Sequence, residues 1–127
     1  MDLLLDTHVL LWWDQGAAHL GPTPRAAIAN PLNRVFVSAA SIWEIGIKAR
    51  KGKLAIIGSP CSSIDRNDFL PLPIAPAHAE VAAGLGWHHE DPFDRMLVAQ
   101  ALTDSLTLIH ADSTIFAFKE VSQLWAC

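Results

Sequence analysis

The sequence predicts an α/β protein built in three layers, α/β/α, around a mainly parallel central sheet. Three observations carry that expectation. Short apolar runs, led by Leu3-Leu4-Leu5 and followed late in the chain by Leu106-Thr107-Leu108-Ile109, lack the strict alternation of a half-exposed strand. They read as strands covered on both faces, as in parallel sheets. Between such runs lie segments with helical spacing, and this succession calls for right-handed crossovers that lay helices on the sheet. The third observation is a globular composition, 51% apolar and 17% charged over 127 residues, with the apolar groups spread along the chain. A chain of this length buries roughly two-thirds of the surface it exposes when unfolded. Residues 1–127 are therefore read as one domain, with no repeat, low-complexity tract or linker.

The elements follow in order. Leu3–Leu5 is the first strand, and a helix runs from Thr7 to about Gln15. Gly21-Pro22-Thr23-Pro24 breaks the chain; Thr23 as N-cap, with Pro24 at the first helical position, starts a helix through about Asn30. Arg34–Ser38 is the next strand. Ser41 and Glu44 have capping-box spacing, and the helix they open runs to Arg50 or Lys51, with Gly52 as its stop. Residues 58–68 are polar and turn-rich, a loop with one short helical piece. Leu70–Ile74 carries Pro71 and Pro73, which confines it to a sheet edge. Pro76–Leu85 is a helix, 86–92 a loop, Asp94–Asp104 a helix, Leu106–Ile109 a buried strand, Asp112–Phe118 a short helix and Val121–Trp125 the last strand.

Composition narrows the function. No run approaches the roughly 18 apolar residues that span a bilayer, so no membrane partner is expected. The opening Met1-Asp2-Leu3-Leu4-Leu5-Asp6 lacks a basic leader, which predicts a cytoplasmic protein. Cys61 and Cys127 are the only cysteines, too few for a disulfide framework or a cysteine-rich zinc site. A net charge of −4 runs against nucleic-acid binding, because phosphates are met by basic surface. Two bound Mg²⁺ ions would cancel it and leave Lys48, Arg50, Lys51 and Lys53 to meet phosphate.

Four acids carry the chemistry. Asp6 follows the first apolar run, Asp112 lies just beyond the late one, and each opens a helix. In an open parallel sheet such positions line the crevice outside the carboxyl ends of the strands. Asp94, Leu97, Val98 and Ala101 fall at i, i+3, i+4 and i+7, so Asp94 begins an apolar stripe and points inward. The helix dipole favours a carboxylate there, but a buried charge still needs a partner, and a cation would supply one. Glu44 sits in the first turn of its helix, after the strand that ends near Ser38. With no Cys and no evident His cluster among them, the four acids make an all-oxygen site of the kind Mg²⁺ or Mn²⁺ prefers. Singly, each has a plainer explanation: Asp6 and Asp112 as N-caps, Glu44 as partner of Ser41 and Lys48, Asp94 as a dipole partner. Those explanations do not account for all four together.

Three pieces in order, Leu4-Leu5-Asp6-Thr7-His8 with Leu10-Leu11-Trp12-Trp13, Ser38-Ala39-Ala40-Ser41-Ile42-Trp43-Glu44-Ile45, and Asp91-Pro92-Phe93-Asp94-Arg95 with Ala99-Gln100-Ala101, closely resemble PIN-domain proteins, specifically VapC-type toxins. The resemblance covers nearly the whole chain, down to Leu124-Trp125. It implies a three-layer PIN-like fold and Mg²⁺- or Mn²⁺-dependent endoribonuclease activity, as the toxin of a type II toxin-antitoxin pair. It also implies an RNA substrate, a homodimer and neutralisation by a small VapB-like antitoxin. By motif, Asp6, Glu44 and Asp94 match the family's acids and Asp112 the fourth, so all four are read as metal-binding and catalytic. On that reading Asp6 and Asp94 hold the main metal, with Glu44 and Asp112 binding a second ion or orienting water. The family often has Thr-x-Asp where this chain reads His110-Ala111-Asp112. The hydroxyl that would order that corner is absent.

Thr7, Ser38, Arg95 and Lys48 are secondary candidates for substrate binding. Thr7 could donate to a metal ligand, Ser38 could do so or cap a helix, and Lys48 and Arg95 lie within a turn of the acids, Arg95 being the better candidate for phosphate. His88 and His89 are assigned to a solvated loop and excluded from the site. Trp12, Trp13, Trp43, Phe116 and Phe118 are read as core or interface aromatics rather than platforms for bases. A phosphatase of the haloacid-dehalogenase sort would need Asp-x-Asp, whereas position 8 is His. A response-regulator receiver would need paired early acids and a Lys after a late strand. The remaining alternative is a catalytically inactive PIN module that binds RNA or protein.

Overall fold

A computed structural model of the protein describes residues 1–56 and 58–127. In chain order the elements are β1 (Asp2–Leu5), α1 (Thr7–Gln15), α2 (Pro22–Ala29), β2 (Arg34–Ser38), α3 (Ala39–Arg50), α4 (Ser62–Arg66), β3 (Leu70–Leu72), α5 (Pro76–Gly84), α6 (Pro92–Asp104), β4 (Thr107–His110), α7 (Ser113–Ala117) and β5 (Gln123–Trp125). The five strands form one sheet in the order β3-β2-β1-β4-β5, and every neighbouring pair is parallel. The chain starts at the middle strand, winds out to β3, and crosses back to the other side of β1. Strand order therefore reverses between β1 and β4, and that reversal positions the site.

Alternation along β1 accounts for the layers. Leu3 and Leu5 pack with Val35, Val37 and Ile109 beneath Val9, Leu10, Ile28 and Ile64 from α1, α2 and α4. Leu4 faces the other way, with Leu108, beneath Leu97, Val98 and Ala101 of α6 and Ile115 of α7. All three leucines are fully buried, so both faces of the sheet are covered and the predicted α/β/α arrangement is present. Burial of each such side chain stabilises by about 1.5–3 kcal/mol. Pro71 sits where expected, in the edge strand β3.

Three helices begin earlier than expected. The helix start predicted at Thr23-Pro24 lies at Pro22, after Gly21, whose N–H donates to the carbonyl of Ala126 at 2.8 Å. A Cβ on Gly21 would sit 2.8 Å from the carbonyl carbon of Cys127, so this close approach requires the bare Cα of glycine. The predicted Ser41–Glu44 capping box does not form. Ser38 caps α3 instead, its hydroxyl accepting from the N–H of Ala40 at 3.0 Å. Ser41 is left inside the helix with a buried hydroxyl that lacks a partner among the described residues, and Glu44 falls in the second turn. The helix expected from Asp94 starts at Pro92, capped by Asp91, whose Oδ1 accepts from the N–H groups of Phe93 (2.9 Å) and Asp94 (3.0 Å). β5 is shorter than expected, and Val121, which precedes it, is buried in the core.

Candidate functional site

At the reversal between β1 and β4, the crevice at the strands' carboxyl ends is the general ligand position of open parallel sheets. Here it is a cleft lined by Asp6, Thr7, His8, Glu44, Lys48, Asp91, Asp94 and Asp112. Asp6 ends β1; its N–H donates to the carbonyl of Ile109 at 3.1 Å, and its Oδ1 accepts from the N–H of Val9 at 2.9 Å. One carboxylate oxygen thus caps α1, while the other faces Nδ1 of His8 at 3.9 Å. Asp112 repeats the device two residues after β4, its Oδ1 accepting from Thr114 (2.7 Å) and Ile115 (3.2 Å) at the start of α7. Thr7 donates from Oγ1 to Oε1 of Glu44 at 2.5 Å, and Nζ of Lys48 lies 3.2 Å from Oε2. Both oxygens of Glu44 are thereby oriented.

His110 supplies order where a hydroxyl was expected. Its Nδ1 accepts from the N–H of Asp112 at 3.1 Å, so that nitrogen carries no proton and Nε2 donates to Oε1 of Gln123 at 2.7 Å. The ring is fully buried. A fixed imidazole tautomer thus sets the corner from which Asp112 projects.

Electrostatics mark Asp94. Burial pushes its carboxyl up to about 6; the hydrogen bond with His89 opposes the shift, and the negative charges of Asp91 and Asp112 add to it. Asp6 holds the His8 imidazole above its ordinary pKa, against the effect of burial. Five carboxylates line the cleft and Lys48 is the only ammonium or guanidinium among its lining residues. Such a set is repulsive without added positive charge. Hard carboxylate oxygens, several of them unused by helix caps, fit a divalent cation of the Mg²⁺ or Mn²⁺ kind. A ring nitrogen of His89 and one oxygen each from Asp94 and Asp112 also lie within 4.8 Å of one another, close enough to share an ion.

The structure brings Asp6, Glu44, Asp94 and Asp112 together, with Thr7 and Lys48 beside them. It places Ser38 and Arg95 elsewhere. Besides capping α3, Ser38 donates to Oε1 of the buried Gln100. The Arg95 guanidinium donates to the carbonyls of Ala82, Leu85, Trp87 and His89 at 2.8–3.1 Å, which clamps the preceding loop and leaves nothing for phosphate. His89 corrects the solvated-loop assignment: Nε2 is 2.6 Å from Oδ2 of Asp94. Asp91 and His8 also face the cleft. Asp91 was detectable, since Asp followed by Pro is an N-cap and first-helical-position pair; for His89, in an irregular loop, no periodicity points inward. A larger, mainly apolar groove of about 380 Å³ runs along Leu10, Leu11, Ile45 and Ile56, but gathers no comparable set of acids.

No curated protein matches the chain in sequence. Among solved structures, the fold is similar to that of VapBC2 from Rickettsia felis bound to a DNA fragment of its promoter, with TM-score 0.73 and 12% identity over 100% of both chains. A toxin-antitoxin complex from Klebsiella pneumoniae gives TM-score 0.68 and 21% identity over 96% of this chain and 95% of that one. VapBC-5 from Mycobacterium tuberculosis gives 0.62 and 19% over 98% and 97%. Identities this low bear on the fold alone. The PIN domain family model, in contrast, matches residues 3–123, and the chain belongs to the PIN domain family.

Proposed function

We propose that this protein is a divalent-metal-dependent endoribonuclease and the toxin of a toxin-antitoxin pair, acting in the cytoplasm as a homodimer held in check by a VapB-like antitoxin. The observation that carries the nuclease reading is the gathering of Asp6, Glu44, Asp94 and Asp112, from four separate segments, onto one cleft at the switch point of the sheet. The toxin reading is supported by the similarity of the fold to proteins solved in VapBC and other toxin-antitoxin complexes.

Asp6 and Asp94 would hold the principal Mg²⁺ or Mn²⁺, with Glu44 and Asp112 holding a second ion or orienting water. When bound, such an ion makes water more acidic and stabilises charge on the phosphate during in-line attack. The protein's own part is placement. Helix caps fix Asp6 and Asp112, Thr7 and Lys48 hold both oxygens of Glu44, and the Lys48 ammonium is the positive group poised to meet the RNA backbone. With water as nucleophile the products carry a 5′-phosphate and a 3′-hydroxyl; a 2′,3′-cyclic phosphate found by end-mapping would exclude this chemistry.

The test is incubation of the purified chain and Asp94→Asn with total cellular RNA, with Mg²⁺, Mn²⁺ or EDTA, followed by mapping of the cut ends. Discrete cuts by wild type alone, abolished by EDTA, are expected. Absence of cleavage by folded, antitoxin-free protein would favour the non-cutting binding module, and equal cleavage by the variant would place the activity elsewhere.

A further inference from the structure

We propose that His89 is a nitrogen ligand of the metal centre, so that an ion is held by His89, Asp94 and Asp112 and Mn²⁺ is favoured over Mg²⁺. This inference rests on the metal-dependent reading above and gives that site a selectivity that an all-carboxylate set lacks.

The geometry is that of a three-ligand set. A ring nitrogen of His89 and one oxygen from each of Asp94 and Asp112 lie within 4.8 Å of one another. Ligands each about 2.0–2.2 Å from one ion stand roughly 3–4 Å apart, so an entering ion draws the wider pairs in and opens the 2.6 Å contact between His89 and Asp94. A hydrogen bond to Asp94 alone would explain the 2.6 Å contact, but not the additional convergence on Asp112.

The second observation concerns what holds the ring. Nη1 of Arg95 donates to the carbonyls of Trp87 (2.8 Å) and His89 (3.1 Å), which fixes the backbone on both sides of His88. The His89 ring packs against Trp87 at 4.9 Å between centroids, and Trp87 packs in turn on the buried Phe118 at 5.0 Å. None of these contacts involves Asp94 or Asp112. The imidazole is thus positioned by ring packing and a backbone clamp that are independent of its bond to Asp94. The cleft's other histidine is held less closely: His8 is 60% exposed, its ring lies 6.3 Å from that of Trp12 and its Nδ1 stands 3.9 Å from Oδ2 of Asp6. An imidazole among carboxylates moves selectivity from Mg²⁺, which demands oxygen ligands and keeps its water, toward transition-metal ions.

The test uses the full chain without RNA. Mn²⁺ is added to wild type, His89→Gln and His8→Gln, and electron spin-echo modulation is read for ¹⁴N bound directly to the ion; Mg²⁺ is then titrated in to displace it. Nitrogen modulation is expected in wild type and His8→Gln and is absent in His89→Gln. The ratio of Mn²⁺ to Mg²⁺ affinity should fall about tenfold in His89→Gln. The substitution keeps the backbone carbonyl that Arg95 binds, so the loop clamp remains. Mn²⁺ bound without nitrogen modulation, or with modulation that survives in His89→Gln, overturns the assignment and leaves a carboxylate centre standing. Failure of wild type to bind Mn²⁺ at all overturns both this inference and the metal-dependent reading.

Discussion

Asp6 and Asp112 stand at the ends of β1 and β4, Asp94 in the first turn of α6, and all three face one cleft, yet different physics holds them. Each strand-end acid uses one oxygen to cap a helix, accepting backbone N–H groups at 2.7–3.2 Å. Those bonds satisfy N–H groups at the helix starts and contribute to folding. Asp94 accepts from no backbone N–H among the described residues; its partner is His89, and burial beside Asp91 and Asp112 drives its carboxyl up to about 6. Two walls of the cleft thus stabilise the fold through their helix caps, while the third carries a charge that the fold resists. The lesson is that the acids are equivalent in a motif but not in energy, and an added cation matters most for Asp94.

The sharpest break of this comparison is Asp94→Asn. We expect RNA cleavage to fall by about 100-fold or more, since loss of even an outer partner of a metal site costs up to about that factor. Next in size is the response to metal. Because a cation offsets the repulsion among the acids, Mn²⁺ at about 100 times its Kd should stabilise wild type by about 2.7 kcal/mol, seen as a higher urea midpoint. Asp94→Asn should lose most of that gain. An equal gain in the variant would mean that Asp94 does not hold the ion.

Much of this was readable in the sequence, for reasons that differ by residue. Unbroken apolar runs announce strands covered on both faces, so β1 and β4 and the acids that follow them could be placed together before any coordinates. What failed were choices between adjacent polar residues. Ser38 and Ser41 both suit an N-cap, and the strand's end, not the side chain's preference, selected Ser38. Arg95 looked available for phosphate because its partners are backbone carbonyls of a loop, and carbonyls leave no pattern in a sequence. His89 was missed for the same reason: its position comes from Arg95 and Trp87 rather than from any helical or strand period.

A smaller effect sharpens the contrast through pH. Asp94 has a folded pKa of about 6 against an ordinary 3.8, so its protonated form is the one the fold prefers. Stability from this group is full below about 3.8 and is lost as pH rises through about 6. The whole shift corresponds to about 3 kcal/mol, and partial contact with solvent reduces it to about 1–2 kcal/mol. Urea unfolding of metal-free protein at about pH 3.5 and pH 7, which bracket both pKa values, should show wild type losing about that much relative to Asp94→Asn. Parallel behaviour of the two proteins would remove burial as the distinguishing feature of Asp94.

The smallest expected effect is at Asp112, where cap and charge can be separated. Asparagine caps a helix about as well as aspartate does, whereas alanine does not, and the loss is about 1 kcal/mol. In metal-free protein Asp112→Ala should therefore unfold about 1 kcal/mol more easily than wild type. Asp112→Asn keeps an oxygen for the N–H groups of Thr114 and Ile115 and removes one of the negative charges that oppose ionisation of Asp94. Its stability should match or slightly exceed that of wild type, although cleavage falls in both variants. If the two variants are equally destabilised, the carboxylate's charge rather than its helix cap secures this corner, and the division between strand-end acids and Asp94 does not hold there.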